Sequence, residues 1–459
     1  MRAETIAQSV LFPDLVDKPL QITFDHPHTS SDGGAVLVHA ADRAYHLIDG
    51  FAHALTDTRA AGKVRHAGRD LVAQRVYAIA CGYPDGNDAA RLNADPVQRI
   101  LVRPTAGADT ALASQPTLSR FENAVGPRAL YRVGRDLARR VIARHRARLG
   151  RRVRRITIDL DPTDDPTYGG QQLSFFNGHY DGHCYLPVLG YLTFNDEAEQ
   201  YLCAAVLRPG NAPATRGGVG LLRRLVRLLR AAFPTARIRV RLDGGFAAPE
   251  VFAYLDGEPR LDYVVALGSN AVLQREAEPL MRVVRPLAEQ TGQTAHVYST
   301  CQYQARTWDR PRRVIMKAEV VVTAGRAPRD NPRFVVTNLP QSPRFLYETV
   351  YCDRGDIENR IKELHHGVAL GRTSCTRFWA NQLRVLLSAA AYILLQEVRL
   401  RAARTRWARA QVWTLRQDVL KLGAHLIVSV RRYWLRLPHA YPYLEDWQHL
   451  ARALGAPVA

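Results

Sequence analysis

The sequence predicts an α/β protein with a mixed five-stranded sheet, a strand-rich insertion and helical regions at both ends of the chain. Three observations support this fold class. Residues 153–269 alternate short apolar runs, bounded by turn residues, with amphipathic helical segments. The flanking segments repeat apolar residues at intervals of three and four, which is typical of helices. The chain has 459 residues, 47% of them hydrophobic, so it can bury more than one core.

The predicted elements follow one another in a defined order. Helices are predicted at 35–55, 70–83, 116–125 and 128–155. Strands are predicted at 154–161, 184–194, 201–207, 237–243 and 262–268, with helices at 220–233 and 248–255. After a strand-rich stretch, helices return at 356–366 and 378–404.

These patterns divide the chain into six regions. They are a helical N-terminal region (1–125), for which we predict DNA binding, a basic helix or linker (126–155), the first part of the sheet domain (156–269), a strand-rich insertion (270–345), the last part of the sheet domain (346–404) and a basic helical tail (405–459).

The chain is strongly basic, with 63 Lys and Arg against 43 Asp and Glu and a net charge of +20. This suits a nucleic acid, because each neutralised phosphate releases counterions. A high-GC genome, which raises the arginine content of its proteins, or association with the ribosome would give the same balance. Residues 128–155 carry twelve arginines and one acid, Asp136, which favours a phosphate-facing surface over a solvated helix. Trp407, Trp413 and Trp434 lie near arginines, and we expect core packing rather than base stacking there.

Membrane and secretion signals are not evident. No unbroken apolar stretch has the length of a membrane span, and the first residues lack the apolar run of a secretion signal. We therefore expect a soluble cytoplasmic protein, associated with the nucleoid and without a membrane partner. Six scattered cysteines with no C-x-x-C pair predict free thiols rather than a zinc site.

Two acidic segments end predicted strands. In IDLDPTDDPT (158–167), Asp159 and Asp161 project from the same face, because side chains alternate along a strand. Asp243 ends the run RIRVRLD and precedes two glycines, at the rim of the sheet where α/β proteins bind ligands. Each segment alone has an ordinary explanation. The acids of the first segment can simply be turn residues, and Asp243 can cap the helix that follows it.

A third acid begins a predicted helix. In YCDRGDIENRIKELHHG (351–367), Glu358, Lys362 and His365 share one helix face at i, i+4 and i+7. A neighbouring apolar stripe can pack on the sheet. It consists of Ile357, Ile361 and Leu364. A salt-bridged surface helix would show the same pattern.

Together the acids suggest one metal site. Carboxylates from two strands and a helix can hold a pair of Mg²⁺ ions about 3.5–4 Å apart, which support in-line phosphoryl displacement without a covalent protein nucleophile. Mg²⁺ is a hard cation that prefers oxygen ligands, so carboxylates suit it better than His or Cys, and Mn²⁺ can substitute. The candidate ligands are Asp159, Asp161, Asp243 and Glu358.

These segments, in this order, resemble the DDE transposases of bacterial insertion sequences, and more narrowly the transposase DDE domain group 1 branch. The matching stretches cover nearly the whole chain. They are SSDGGAVLVHAADR, PTLSRFENA, IDLDPTDDPTYGGQQLSFFNGHYDGHCYLPVLGY, RLDGGFAAPE, RFVVTNLP and YCDRGDIENRIKEL. The resemblance implies a ribonuclease-H-like (retroviral-integrase-like) catalytic fold acting on double-stranded DNA.

The resemblance also assigns the acids. The family's Asp-x-Thr at the end of the first strand falls on Asp161 and Thr163, with Asp159, one pleat earlier, as the alternative. The second family aspartate falls on Asp243. These residues and Glu358 are therefore the expected catalytic and metal-binding acids.

The family's Tyr-x-x-Arg-x-x-x-Glu signature falls on Tyr351, Arg354 and Glu358, which implies that Tyr351 and Arg354 contact DNA. Related transposases carry a Lys seven residues after the Glu. This chain departs from them with His365, so His365 and Lys362 are the two candidates for that DNA contact.

The implied activity is cleavage at the terminal inverted repeats of a transposon, followed by joining of the freed 3′-hydroxyl to target DNA, carried out by a homodimer on the DNA. Two alternatives stay open. One is a domesticated protein that binds DNA without cutting it, and the other is a nuclease of the same fold that cuts without joining.

Overall fold

The N-terminal part of the chain is mainly helical, as predicted. The computed structural model describes residues 10–55, 57, 59, 62, 64–104 and 111–457. The first short strands are β1 (Val10–Phe12), β2 (Leu20–Ile22) and β3 (Thr29–Ser30). The helices are α1 (Val36–Tyr45), α2 (Leu47–Ala54), α3 (Gly68–Ala80), α4 (Ala89–Leu92), α5 (Pro96–Val102), α6 (Gln115–Ala124) and α7 (Pro127–Leu149). The arginine-rich segment forms α7, which begins at a proline, a residue suited to a first helical turn, and packs on α2.

The central part alternates strands and helices in the predicted order. Its strands are β4 (Arg155–Pro162), β5 (Asp165–Pro166), β6 (Phe175–Asn177), β7 (Gly182–Tyr185), β8 (Val188–Phe194), β9 (Tyr201–Val206), β10 (Arg237–Leu242) and β11 (Leu261–Leu267). Its helices are α8 (Gly218–Ala232) and α9 (Pro249–Gly257). The predicted strand at 184–194 is divided by a short break between β7 and β8.

The remaining elements lie beyond β11. The helices are α10 (Ala271–Thr291), α11 (Pro343–Phe345), α12 (Gly355–Val368), α13 (Phe378–Arg401), α14 (Val412–Leu415) and α15 (Leu444–Ala453). The strands are β12 (Ala295–Tyr303), β13 (Arg312–Val321), β14 (Arg329–Asp330), β15 (Arg333–Thr337), β16 (Ala424–Val428) and β17 (Tyr433–Arg436).

One large mixed sheet organises the molecule, which confirms the predicted α/β class. Its strand order is β12-β13-β15-β11-β10-β4-β8-β9, with β14 paired to β13. Strands β4, β10 and β11 are parallel to one another, whereas β8 runs antiparallel to β4 and β9 antiparallel to β8. The carboxyl ends of β4 and β10 therefore lie side by side at one edge of the sheet.

The insertion differs from its prediction in two respects. Its strands extend the main sheet, because β15 pairs antiparallel with β11, so the predicted count of five strands is too small. This pairing covers backbone groups that β11 would otherwise leave open as a sheet edge. The insertion also begins with the long helix α10, which the strand-rich prediction omitted. Pro279 and Pro286 inside that helix weaken its sequence signal.

The tail also differs from its prediction. It was expected to be helical, but β16 and β17 form an antiparallel hairpin that joins β3 in a three-stranded sheet. The segment AHLIVSVRRYWLR (424–436) contains β-branched and aromatic residues that favour strands. Trp407 is buried, as expected, whereas Trp413 and Trp434 are exposed, contrary to the expectation of core packing.

Helix α13 runs through the interior and contacts α1, α3, α7, α12 and β9. By length and composition it could span a membrane, although Arg384 interrupts its apolar run. However, 89% of its most apolar stretch is buried inside the protein. An apolar helix that is buried on all sides is typical of the core of a large protein.

Candidate active site

Asp161 and Asp243 lie at the same level on neighbouring parallel strands. The register pairs Leu160 of β4 with Leu242 of β10, and each aspartate is the next residue along its strand. The Asp243 carboxylate accepts a hydrogen bond from the Gly245 backbone N–H at 3.1 Å, which fixes it at the start of a tight turn. The sequence prediction that two acids reach the sheet rim together agrees with this register.

Asp159 plays a different part from Asp161. Its side chain is fully buried, and its two carboxylate oxygens accept hydrogen bonds from Arg241 Nε and Nη2 at 2.7 and 2.8 Å. Arg241 is the cross-strand neighbour of Asp159, and its Nη1 also donates to the Val350 carbonyl at 3.2 Å. A carboxylate with both oxygens committed to a buried guanidinium is a poor metal ligand, so the geometry favours Asp161 over the alternative Asp159.

Glu358 lies in the first turn of α12, which is packed by the predicted apolar stripe. Ile357, Ile361 and Leu364 are buried, whereas Glu358 and Lys362 are exposed. Irregular helical turns at 346–354 lead from the sheet into this helix. The structure thus places Glu358 on the accessible face of a helix whose opposite face is anchored.

Glu363 anchors the same helix. Its buried carboxylate accepts hydrogen bonds from Arg399 Nη1 at 2.5 Å, from the Tyr392 hydroxyl at 2.7 Å and from the Val412 backbone N–H at 2.7 Å. These bonds tie α12 to α13 and to the start of α14. Helix α12 is therefore held firmly beyond its first turns.

Arg354 connects the α12 segment to the sheet rim. Its Nη2 donates to Asp161 Oδ1 at 2.5 Å, and its Nε is buried without a hydrogen-bond partner among the described residues. Burial, together with the negative charges of Asp243 and Glu358, raises the pKa of Asp161 to about 7, although Arg354 opposes this rise. Burial also raises the pKa of Asp243, again against the effect of Arg354. The three acids therefore share one electrostatic environment.

Tyr351 lies beside this group, half-buried, with its ring 5.5 Å from that of Tyr347. Burial raises the pKa of Tyr351, while the Arg354 guanidinium lowers it and the Asp243 charge raises it. The two residues of the Tyr-x-x-Arg signature thus lie near Asp243 and Asp161 respectively.

His365 and Lys362 have different surroundings. His365 Nε2 lies 3.3 Å from the Thr163 hydroxyl, and burial lowers the pKa of His365 despite the nearby Asp164 charge. The lowered pKa favours the neutral imidazole, which contacts a phosphate less strongly than a charged one. Lys362 is exposed on the same face as Glu358, so it is the better placed cation.

Arg208 is a site residue that sequence reasoning missed. Its Nε donates to the Leu186 carbonyl at 2.8 Å, and its Nη1 donates to the Pro213 and Ala214 carbonyls at 2.9 and 2.8 Å. In the described part of the chain its buried Nη2 has no partner, and its charge lowers the pKa of Asp243. Nothing in the local sequence identifies it, because its position depends on contacts of the loop after β9 with Leu186, a residue in another segment of the chain.

Tyr180 is a second residue that sequence reasoning missed. Burial raises the pKa of its hydroxyl to about 12, and the negative charges of Asp164, Asp161 and Asp243 add to the rise. Tyr180 lies in the loop between β6 and β7, close enough to these acids for their charges to act on its hydroxyl. Its motif, NGHYDGHCY, carries no spacing that predicts this position.

The donor chemistry fits a divalent cation, although the described residues contain no group of three or more His, Cys, Asp or Glu side chains already arranged around one. Asp161, Asp243 and Glu358 offer hard carboxylate oxygens, the ligands that Mg²⁺ prefers. Burial is the main cause of the raised pKa of Asp161, and the negative charges of Asp243 and Glu358 add to it. A cation would relieve this repulsion. Convergence of the three carboxylates on shared ions stays a prediction.

A comparison with known families bears on this site. A family model described as transposase DDE domain group 1 matches residues 12–456. This chain belongs to that family. The match confirms the recognition of a DDE transposase from the sequence motifs, and it includes every candidate site residue named above. No curated protein shows significant similarity to the chain.

Membership of this family indicates the general class of reaction that the protein catalyses. DDE transposases are nucleases and transesterases with a DNA substrate, and the family typically uses divalent metal ions. The strand-end aspartates and the helix-borne glutamate of this transposase are acids of the kind that such chemistry requires.

The raised pKa of Asp161 predicts a pH-dependent stability of the transposase in the absence of metal. Because the folded-state pKa of about 7 exceeds the ordinary value of 3.8, the folded state binds the proton more tightly than the unfolded state. This stabilisation is fully present below about pH 4 and is lost as the pH rises through about 7. We expect the stability of the Asp161→Asn variant, relative to that of the wild type, to rise progressively from about pH 5 to about pH 8, measured by denaturant unfolding in chelator.

The control for this experiment is Glu276→Gln, at an exposed position of α10. It should differ from the wild type by the same small amount at every pH. A constant difference between Asp161→Asn and the wild type across that range would contradict the prediction.

Proposed function

We propose that this transposase cleaves DNA at the ends of its element and joins the freed 3′-hydroxyl groups to target DNA. The observation that carries the proposal is the placement of Asp161 and Asp243 at adjacent parallel strand ends, within electrostatic reach of Glu358. In the first step a water oxygen bonds to phosphorus while the bond to the 3′ oxygen breaks. In the second, the released 3′-hydroxyl attacks a target phosphorus and displaces the target strand's own 3′ oxygen.

The catalytic core is proposed to be ribonuclease-H-like. Numbered along the chain, strands β4, β8, β9, β10 and β11 lie in the spatial order third, second, first, fourth, fifth. The first three are antiparallel neighbours, and the last two run parallel to the first. This arrangement supports the fold that the resemblance implies.

The metal ligands are proposed to be Asp161, Asp243 and Glu358, holding two Mg²⁺ ions for which Mn²⁺ can substitute. Bound divalent ions would lower the pKa of the attacking oxygen and stabilise charge on the leaving oxygen. The protein's own part is to hold the carboxylates at the rim of the sheet. Asp159 serves this purpose indirectly, because its ion pair with Arg241 fixes β4 and β10 beside each other and holds the Val350 carbonyl.

The DNA contacts are proposed to come from the segment around α12. Arg354 suits a bidentate contact with a phosphate. If the Arg354 guanidinium moved from Asp161 to a phosphate, the Asp161 carboxylate would be free to bind a cation. Lys362 offers a second positive charge on the exposed face of the helix. Tyr351 supplies an aromatic ring that can stack on an unpaired base.

The working assembly is proposed to be a homodimer on double-stranded DNA, with one protomer at each terminal inverted repeat, in the cytoplasm beside the nucleoid. The high net positive charge of +20 supports extended contact with DNA.

The test uses the purified full chain and DNA fragments carrying the inverted repeats that flank its reading frame. In Mg²⁺ with a supercoiled plasmid target, we expect cleavage at the repeats and covalent joining of fragment ends to the plasmid. Chelator should abolish both products. The Asp243→Asn variant should bind the fragments as the wild type does and yield neither product.

The other outcomes identify the alternatives. Nicked or cut fragments without joined products would indicate a nuclease that does not transfer strands. Tight binding to the repeats without any cleavage by the wild type would indicate a domesticated DNA-binding protein.

A further inference from the structure

The hairpin of β16 and β17, residues 424–436, contains none of the candidate active-site residues; we refer to it as the basic ribbon. Its register pairs Leu426 with Leu435 and Val428 with Tyr433. The turn is closed by Ser429, whose N–H and hydroxyl both donate to the Arg432 carbonyl, at 3.0 and 2.9 Å. The Arg432 N–H donates back to the Ser429 hydroxyl oxygen at 3.2 Å. The tip is therefore a defined turn.

The inner end of the basic ribbon is packed and its outer end is free. Leu426 is 1% exposed, whereas Val428, two residues further along the same strand face, is 51% exposed. All seven residues from 428 to 434 are exposed, and Trp434 alone leaves 51% of its surface in solvent. The outer half of the ribbon thus projects from the body of the protein.

The ribbon is also firmly attached at its base. The Leu426 N–H donates to the His28 carbonyl at 2.9 Å, and Ala424 pairs with Ser30 of β3. Upstream, the buried Arg416 donates to the carbonyls of Ala80 and Gly367, the latter in α12. The segment that carries the ribbon is therefore fixed to the helix that bears Glu358.

The charged side chains of the projecting surface are all positive. Arg431, Arg432 and Arg436 lie in or beside the outer half, and the sequence has no acidic residue between Asp418 and Glu445. In the described part of the chain none of these three guanidinium groups has a carboxylate partner. The Arg432 guanidinium lies 5.3 Å from the centroid of the Trp434 ring. Unpaired arginines beside exposed rings predict a polyanionic partner that also offers flat apolar surfaces.

We propose that the basic ribbon docks into a groove of duplex DNA. The major groove admits a two-stranded β-ribbon, its walls are phosphates that arginine side chains can neutralise, and its floor offers base edges and methyl groups to apolar side chains. A protein partner buried on the same surface would have to supply acids for three arginines. The inference deepens the proposed function, because it assigns to that DNA substrate a contact outside the catalytic acids.

The test measures binding of the full chain to a mixed-sequence DNA duplex several helical turns long, over a range of salt concentrations, in chelator so that no cutting occurs. The charge variant is Arg431→Ala with Arg432→Ala. We expect its affinity to fall by about tenfold or more and its plot of log K against log salt to become shallower by about two, because two phosphate contacts are lost. Trp434→Ala should lower the affinity without changing that slope.

The matched control removes the same charge elsewhere. Arg275 and Arg282 both lie at exposed positions of α10, outside the region predicted to bind DNA, so Arg275→Ala with Arg282→Ala should leave affinity and slope close to those of the wild type. Because the substituted ribbon residues are exposed, the melting temperatures of the ribbon variants should match that of the wild type.

Several outcomes would overturn the inference. Ribbon variants that bind the duplex with the control's affinity and slope exclude a DNA contact by the ribbon while leaving the proposed function intact. A ribbon variant whose DNA binding is unchanged but whose dimer dissociates on sizing assigns the surface to a second copy of the chain. Absence of duplex binding by the wild type at low salt would overturn this inference and the proposed function together.

Discussion

Replacement of Asp161 by Asn is expected to lower the rate of DNA cleavage by about a thousandfold or more while leaving DNA binding intact. The amide has the size of the carboxyl group but not its charge, so it would ligate a divalent ion poorly. Several kcal/mol of transition-state stabilisation depend on that ion, and each 1.4 kcal/mol corresponds to about a tenfold change in rate. The measurement is single-turnover cleavage of an end fragment, with binding followed separately.

Asp165→Asn is the matched control for this comparison. Asp165 is also buried, and burial raises its pKa to about 7 as it does for Asp161. Its carboxylate accepts a hydrogen bond from the Thr373 hydroxyl at 2.8 Å, which an amide oxygen can also accept. The control variant should cleave at nearly the wild-type rate. Cleavage by Asp161→Asn within about tenfold of the wild-type rate would exclude Asp161 as a metal-binding acid.

The second large effect is expected at Asp159 and concerns stability. Asp159→Leu removes a fully buried carboxylate and leaves Arg241 with an uncompensated charge, which costs about 3–5 kcal/mol in the free energy of unfolding. Arg241 also holds the Val350 carbonyl, so the turns that lead to Glu358 should loosen as well. Denaturant unfolding of the variant and the wild type measures the difference.

A double variant separates charge from packing. Asp159→Leu combined with Arg241→Met removes both charges and keeps apolar volume in the same place, so most of the lost stability should return. If the double variant is no more stable than Asp159→Leu, the loss comes from packing rather than from an unpaired charge. If Asp159→Leu alone costs under about 1 kcal/mol, the ion pair does not support the sheet as argued.

The pair Asp159 and Asp161 shows what sequence alone could predict here. Alternation along a strand places both side chains on one face, and this is as far as a single strand can take the argument. What separates them is Arg241 on the neighbouring strand, which meets Asp159 only because β4 and β10 are in a particular register. Register between strands far apart in sequence depends on tertiary packing. From sequence, the preference for Asp161 over Asp159 as the first acid therefore rests on the family's Asp-x-Thr motif alone.

The α12 segment was predicted well for a related reason. The apolar stripe of Ile357, Ile361 and Leu364 and the shared face of Glu358 and Lys362 depend only on helical spacing, and the structure has both. The burial of His365 against Thr163 could not be predicted, because it arises from a contact between segments 202 positions apart. Arg208 is similar, since its bonds to three backbone carbonyls follow from loop packing.

The strand predictions were incomplete where tertiary context decides. A strand-rich insertion was expected and is present, but its sequence did not predict that β15 pairs with the edge of β11 and so extends the main sheet. The helical prediction for the tail was wrong at 424–436. This run forms strands, although the segments on both sides of it form helices.

The way the third acid is attached has a consequence for how the transposase starts its reaction. Asp161 and Asp243 stand on hydrogen-bonded neighbours, so their backbones are held at the strand separation of about 4.8 Å whether or not substrate is present. Glu358, the proposed third ligand, follows the irregular turns at 346–354, which lie outside the sheet. Tyr351 and Arg354, the proposed DNA contacts, belong to those turns. Two of the three proposed metal ligands are thus fixed by the sheet, while the position of the third depends on the segment that is proposed to hold the DNA.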